Sequence, residues 1–144
     1  MKINRMEKAH IAQVANIEKS IFSIPWSEDA FEKSNLSDDT IYLVAVEQDK
    51  VIGYCGVYIS FEVGNITNVA VDANFRKKHV ATALIEELIY LCKGKKMTQI
   101  VLEVRETNVP AIKLYEKLGF VEMGIRKNFY KKPTENALIM SKEL

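Results

Sequence analysis

The chain has 144 residues, 48% of them hydrophobic, with 20 lysines and arginines against 19 acids and a formal net charge of +1. A chain of this size and apolarity buries a sizeable core as one globular domain, residues 1–144, and is too apolar for disorder. Near-neutrality removes any global pull toward nucleic acid or a membrane surface, so the charge that matters must be local.

A first strand is expected around Lys2 to Arg5. A helix follows from about Ala9 to Phe22, where Ile11, Val14, Ala15, Ile17 and Ile21 recur at helical spacing. "PWSEDAF" opens a second short helix, with Ser27 as N-cap and Glu28 and Asp29 favouring its positive end. Ile41 to Glu47 and Val51 to Phe61 read as a hairpin turning at Gln48, Asp49 and Lys50, and Ile66 to Val71 as the next strand.

From His79 to Cys92 the residues Val80, Ala81, Leu84, Ile85, Leu88, Leu91 and Cys92 form one apolar stripe, and Lys93-Gly94 supplies the stop. "QIVLEV" is a fifth strand and "PAIKLYEKLG" a helix ending at Gly119. "EMGIRKNFY" and "NALIMSKE" are two closing strands. This order predicts an α/β fold with a mixed sheet, helices on both faces, and a right-handed parallel crossover around the long central helix.

Several chemistries are excluded by what is missing. The chain has no G-x-x-x-x-G-K-S/T loop, no G-x-G-x-x-G and no G-x-S-x-G elbow. His10, His79, Cys55 and Cys92 lack the spacing of metal ligands, so no metal is expected, and the two cysteines read as buried reduced thiols. The longest apolar run, "IYLVAV", is too short to span a bilayer, and "MKINRMEKAH" has no signal core, which makes a cytoplasmic protein the expectation.

One stretch runs against electrostatics. "FRKKHVATALIEELI" starts a helix with Arg76, Lys77 and Lys78, although a helix N-terminus already carries partial positive charge. Either the three cations form a solvated turn, or they and the free amides share an anion such as phosphate.

"VAVDANFRKKHVATALIEELI" resembles the acetyl-coenzyme A binding motif of the GNAT N-acetyltransferase superfamily, in which a strand leads into Q/R-x-x-G-x-G/A at a helix start. The resemblance implies a GNAT fold, a mostly antiparallel sheet of six to seven strands with a splayed central pair, and acetyl-CoA as co-substrate. It implies that Val69, Ala70 and Val71 pair with the pantetheine arm. Arg76, Lys77, Lys78, His79, Val80, Ala81 and Thr82 would then hold the diphosphate. His79 stands where the family pattern has its first glycine. It is expected to point outward with its amide still in use, and to weaken cofactor binding.

The second half, "LEVRETNVPAIKLYEKLGFVEMGIRKNFY", is similar to the bacterial RimI type, the ribosomal-protein-alanine N-acetyltransferases, as is "PWSEDAF". Alternation in "IVLEVR" sets Glu103 on the face opposite Ile100, Leu102 and Val104, where it is a solvated or paired strand residue; the resemblance makes it the general base. Tyr115 shares a helical face with Ala111, Ile112 and Leu118 and reads as a core tyrosine; the resemblance makes it the general acid. Asn108 reads as an N-cap, and the resemblance adds contact with the cofactor arm. Glu103 and Tyr115 are expected on the same side of the sheet.

The resemblance also places "FSIPWS" and "NFYKKPTE" beside the acceptor, with Phe22, Trp26, Phe129 and Tyr130 as wall residues that could equally be core. The implied acceptor is a protein N-terminus, the alanine of a small-subunit ribosomal protein, with no nucleic acid or membrane partner and a monomer or weak dimer. A basic ribosomal chain would suit an acidic entrance. Neutralising an α-amine at pH 7 costs roughly 1 kcal/mol, against about 4.6 for lysine, which favours the α-amine. The alternatives are a GNAT enzyme for a small amine such as a polyamine or an aminoglycoside, and an acyl-CoA binding module of little turnover.

Overall fold

The computed structural model describes residues 1–144. Its strands are β1 (Lys2–Arg5), β2 (Thr40–Glu47), β3 (Lys50–Ser60), β4 (Val63–Val71), β5 (Gln99–Arg105), β6 (Val121–Tyr130) and β7 (Glu135–Glu143). The helices are α1 (Ile11–Ile21), α2 (Glu28–Leu36), α3 (Val80–Gly94) and α4 (Val109–Lys117). All strands join one seven-stranded sheet of order β1-β2-β3-β4-β5-β7-β6, antiparallel throughout except for the β4-β5 pair that α3 connects. No helix is long and apolar enough to cross a membrane, and no group of three or more His, Cys, Asp or Glu residues is placed to hold a metal ion.

The sheet divides the core into two layers. On one face Ile41, Leu43, Ala45, Ile52, Cys55 and Val57 pack with Leu84, Ile85 and Leu88 of α3 and Tyr115 of α4. On the other, Tyr42, Val44, Tyr54 and Ala70 pack with Val14 and Ile17 of α1 and Phe31 of α2. Covering on both faces explains why β2 reads as an unbroken apolar run rather than an alternation. Phe31 fastens this second layer with edge-on contacts to Tyr42 and Tyr54, ring centroids 6.2 and 5.7 Å away. Because α1 and α2 lie over β2 to β4, the same face of β5, β7 and β6 is uncovered.

Local chemistry sets the element ends. Ser27 accepts a hydrogen bond from Ala30 N at 3.1 Å, the N-cap its sequence implied. Gln48 and Asp49 both take positive φ in the β2-β3 hairpin. α3 ends at Gly94 as expected, and the left-handed residue beyond it is Lys96, at φ 62°. α4 also stops as expected, at Gly119 with φ 97°. β4 begins at Val63, earlier than the sequence suggested, because Val63 to Asn65 pair with both β3 and β5.

Two irregularities shape the middle of the sheet. In the β3-β4 register Gly56 opposes Asn68 and Val57 opposes Ile66, so Thr67 is an extra residue and β4 bulges there. β4 and β5 then pair only at Val63/Gln99, Gly64/Ile100 and Asn65/Val101; beyond those positions the two strands separate. The splayed central pair is therefore present. Gly56 is required beside the bulge, because a Cβ there would lie 2.2 Å from Tyr42 Cε1. Gly56→Ala should destabilise the fold by about 1–3 kcal/mol through overpacking, measured by denaturant unfolding. An unchanged midpoint would show that the Tyr42 ring yields freely.

Candidate active site

The turn between β4 and α3 is built without a helix cap. Asp72 accepts from Asn74 N at 2.9 Å, which spends its carboxylate before the helix begins. His79, the N-cap residue of α3, makes no side-chain cap bond, and the first turn holds no acid. The amides of Val80, Ala81 and Thr82 are thus left without a side-chain acceptor, beside the exposed Arg76, Lys77, Lys78 and His79. Lys78 and Lys50 both stack on Phe75, at 5.3 and 5.4 Å from its centroid. Free amides and several cations at the start of a fifteen-residue helix are the donor set that a diphosphate requires, so these residues fit an acyl-CoA.

His79 has φ 61° and ψ 22°, and Lys77 also has φ 61°. A left-handed backbone costs an L-residue about 1–2 kcal/mol and glycine almost nothing. This accounts for a glycine in the family pattern at position 79. The imidazole itself is solvent-exposed and makes no bond to the helix mouth.

Beyond the bulge, β4 keeps its pairing with β3 through Val69/Cys55, Ala70/Tyr54 and Val71/Gly53, while its other edge has no strand partner. The main-chain groups on that edge are open to an extended arm entering the gap. Asn108, at the mouth of the same gap, caps α4 by accepting from Ala111 N at 3.4 Å.

Glu103 and Tyr115 lie on opposite faces of the sheet, which corrects the expectation of a shared side. β5 alternates strictly, so Ile100, Leu102 and Val104 enter the core beneath α3 and α4 while Glu103 stands on the uncovered face. Tyr115 belongs to that core, against Phe120 at 5.7 Å. In a closed sheet this would separate the two groups. Here β4 and β5 have parted beyond Asn65/Val101, so a substrate lying in the opening would be within reach of both faces.

The two groups differ in environment. Glu103 Oε1 lies 3.5 Å from Arg126 Nε, a single contact to a half-exposed guanidinium. The Tyr115 phenol is pushed well above its ordinary range by burial first, then by the proximity of Cys55 and Tyr130. Tyr130 is pushed up to about 12, mainly by burial and next by the Glu103 charge. Tyr130 is therefore in electrostatic reach of both the carboxylate and the buried phenol.

The flanking loops are held by residues that periodicity did not single out. Arg105 donates to Pro133 O and Lys131 O, both at 3.0 Å, pairs with Glu135 at 3.1 Å, and stacks on Tyr130 at 4.5 Å. Glu135 accepts from Thr107 Oγ1 and Thr107 N, bonds that together with Arg105 hold its carboxyl below the usual range. Ser23 Oγ donates to Lys131 O at 3.4 Å, so the α1-α2 loop touches the β6-β7 turn. On α1, the buried Glu18 accepts from Tyr54 Oη and, at 3.0 Å, from Trp26 N. Burial, then this bond to Glu18, raises the Tyr54 phenol.

Of the four wall residues, Phe22 and Phe129 are exposed, the latter 5.6 Å from the Arg126 guanidinium. Tyr130 is half-buried, and Trp26 packs on Phe31 at 5.3 Å at the edge of the second core layer. No acidic entrance is found at the hairpin, whose turn carries Lys131 and Lys132.

A seven-stranded sheet parted beside an uncapped helix start is a frame able to take an acyl-CoA, and the family and relatives that match make the class an acetyl-CoA-dependent N-acetyltransferase. The chain belongs to the Acetyltransferase (GNAT) family, which matches residues 11–120. It is 37% identical over 139 residues, 96% of this chain and 92% of the relative, to a Bacillus subtilis protein provisionally named ribosomal protein bS18-alanine N-acetyltransferase. It is 32% identical over 143 residues, 96% of this chain and 95% of the relative, to the Escherichia coli K12 protein of that name. The crystal structure of the ribosomal-protein-S18-alanine N-acetyltransferase from Escherichia coli superposes with a TM-score of 0.90 at 28% identity, covering 99% of this chain and 92% of that one.

Substituting His79→Gly should remove the left-handed strain, raise the melting temperature and tighten coenzyme A binding several-fold in calorimetry. A weaker Kd in the variant would contradict the view that the side chain encumbers the site.

Proposed function

We propose that this chain acetylates the α-amine of an N-terminal alanine on a small-subunit ribosomal protein, with acetyl-CoA as donor, in the cytoplasm. The observation that carries the reading is the placement of Glu103 on the uncovered face at the mouth of the β4-β5 gap, between loops that touch through Ser23 and Lys131. An acceptor chain can approach along that face, whereas the opposite one is filled by α3 and α4. Relatives named for this acceptor, aligned over 96% of the chain, support the same choice.

Bound acetyl-CoA supplies an acetyl thioester to the gap. Val80, Ala81 and Thr82 amides with Arg76, Lys77 and Lys78 hold the diphosphate. The free edge of Val69 to Val71 orients the arm, and Asn108 borders it. Glu103 takes the proton of the α-amine as nitrogen bonds the acyl carbon, directly or through a water. Tyr115 gives its proton to the departing sulfur from the other face. Burial that raises this phenol also raises any thiol beside it, so the difference between the two governs the transfer. Tyr130, Phe129 and Phe22 line the acceptor, and Glu18 sets Trp26 through its backbone.

Glu103→Gln should lower kcat by about 10²- to 10⁴-fold, the usual span for a general base. An unchanged kcat would make Glu103 a structural strand residue. Tyr115→Phe should retain acetyl-CoA binding and lose turnover; loss of binding alone would show that the ring only packs. A thiol-release assay on alanine peptides with basic and acidic continuations, beside spermidine and free lysine, tests the acceptor. The reading expects alanine peptides to be preferred, and preference for spermidine would overturn it.

A further inference from the structure

Asn68 is the one side chain whose buried polar atom has no partner: it is 6% exposed, and its Oδ1 accepts no hydrogen bond in the protein. Native folds rarely leave such an atom unpaired, so a compensating partner outside the protein is expected. Its position says what that partner would be. Asn68 opposes Gly56, which in turn opposes Tyr42, so its side chain lies on the α1-α2 face. Asn65 pairs with Val101 on that same face, and two residues further along β5 stands Glu103. β4 needs three residues to cover the same distance, because the bulge at Thr67 consumes one. Asn68 is the residue it delivers opposite Glu103, across the gap.

Without the bulge, Thr67 would face Glu103 on that side and Asn68 would turn into the α3 layer. The irregularity that opens the sheet therefore also puts an unpaired carboxamide on the face where Glu103 stands.

We propose that Asn68 binds the acceptor amine, its Oδ1 taking one N–H while Glu103 takes another, so that the nitrogen lone pair is turned toward the acyl carbon. The inference rests on the reading of Glu103 as base. An amine presents two or three N–H donors in tetrahedral array, and two acceptors on facing strands fix its orientation. A thioester or a hydroxyl acceptor would leave Oδ1 unpaired or less well matched.

Asn68→Leu and Asn68→Asp test this in the full-length enzyme with acetyl-CoA and an alanine peptide. The leucine variant removes an unsatisfied polar atom, so its melting temperature should hold or rise by a few degrees. Its kcat/KM for the peptide should fall at least tenfold, with KM for acetyl-CoA within twofold of wild type. The aspartate variant keeps an acceptor but sets a second carboxylate opposite Glu103. The acid limb of its kcat/KM profile should move to higher pH. A lower melting temperature in the leucine variant with unchanged peptide kcat/KM would overturn the proposal. So would an acid limb left unmoved in the aspartate variant.

Spermidine run in parallel separates this from failure of the acceptor reading. If only spermidine is acetylated, the substrate assignment falls while the Asn68 variants still report on amine binding. Inactivity of Glu103→Gln and full activity of Asn68→Leu would overturn the Asn68 role alone.

Discussion

One extra residue, Thr67, governs the architecture of the site. By inserting into β4 it ends the β4-β5 ladder after three pairs and leaves the edge from Asn68 to Val71 without a neighbour. Unpaired strand groups are costly and are normally covered. Here they lie in a sheet covered by α3 and α4 on one face and, over β2 to β4 only, by α1 and α2 on the other. The gap is thus a deliberate discontinuity in a well-packed fold rather than a loosely held region. The close approach of Gly56 to Tyr42 supports the bulge from the neighbouring strand.

The same discontinuity resolves the placement of the two reactive groups. Strand alternation makes Glu103 and the core-lining Leu102 and Val104 face opposite ways, and α4 carries Tyr115 into the core. A proton acceptor on the open face and a proton donor on the covered face suit a transfer in which one group arrives and another leaves. On the proposed reading the amine would come from the side with room for a peptide, and the sulfur would depart on the side of α3 and its uncapped start.

Much of this was legible in the sequence. Periods of 3.6 and 2 placed α1, α3 and β5, because each buries a regular face, and the cationic helix start posed the choice between a solvated turn and an anion site through electrostatics alone. Alternation in "IVLEVR" also put Glu103 opposite the core residues. What could not be read was tertiary. Nothing in "NITNVAV" marks Thr67 as a bulge, since no glycine or proline is present. Tyr115 reads as a core tyrosine and Glu103 as facing away from the core, so the shared side was implied by the resemblance alone and not by the residues. Glu18 looked like one charged residue on an amphipathic helix, and its burial follows only from Tyr54 and the Trp26 amide. Asn68 carries no sequence signal at all. Its meaning appears only when the shifted register sets it across from the carboxylate.

On the proposed reading the parted strand edge and the uncapped helix start act as one donor-binding surface. Hydrogen exchange on the full chain, with and without coenzyme A, tests it most directly. The account predicts new protection at amides of β4 beyond Thr67 and at Val80 to Thr82, with β1 and β2 unchanged. Protection confined to the β6-β7 hairpin, or none in β4, would contradict it.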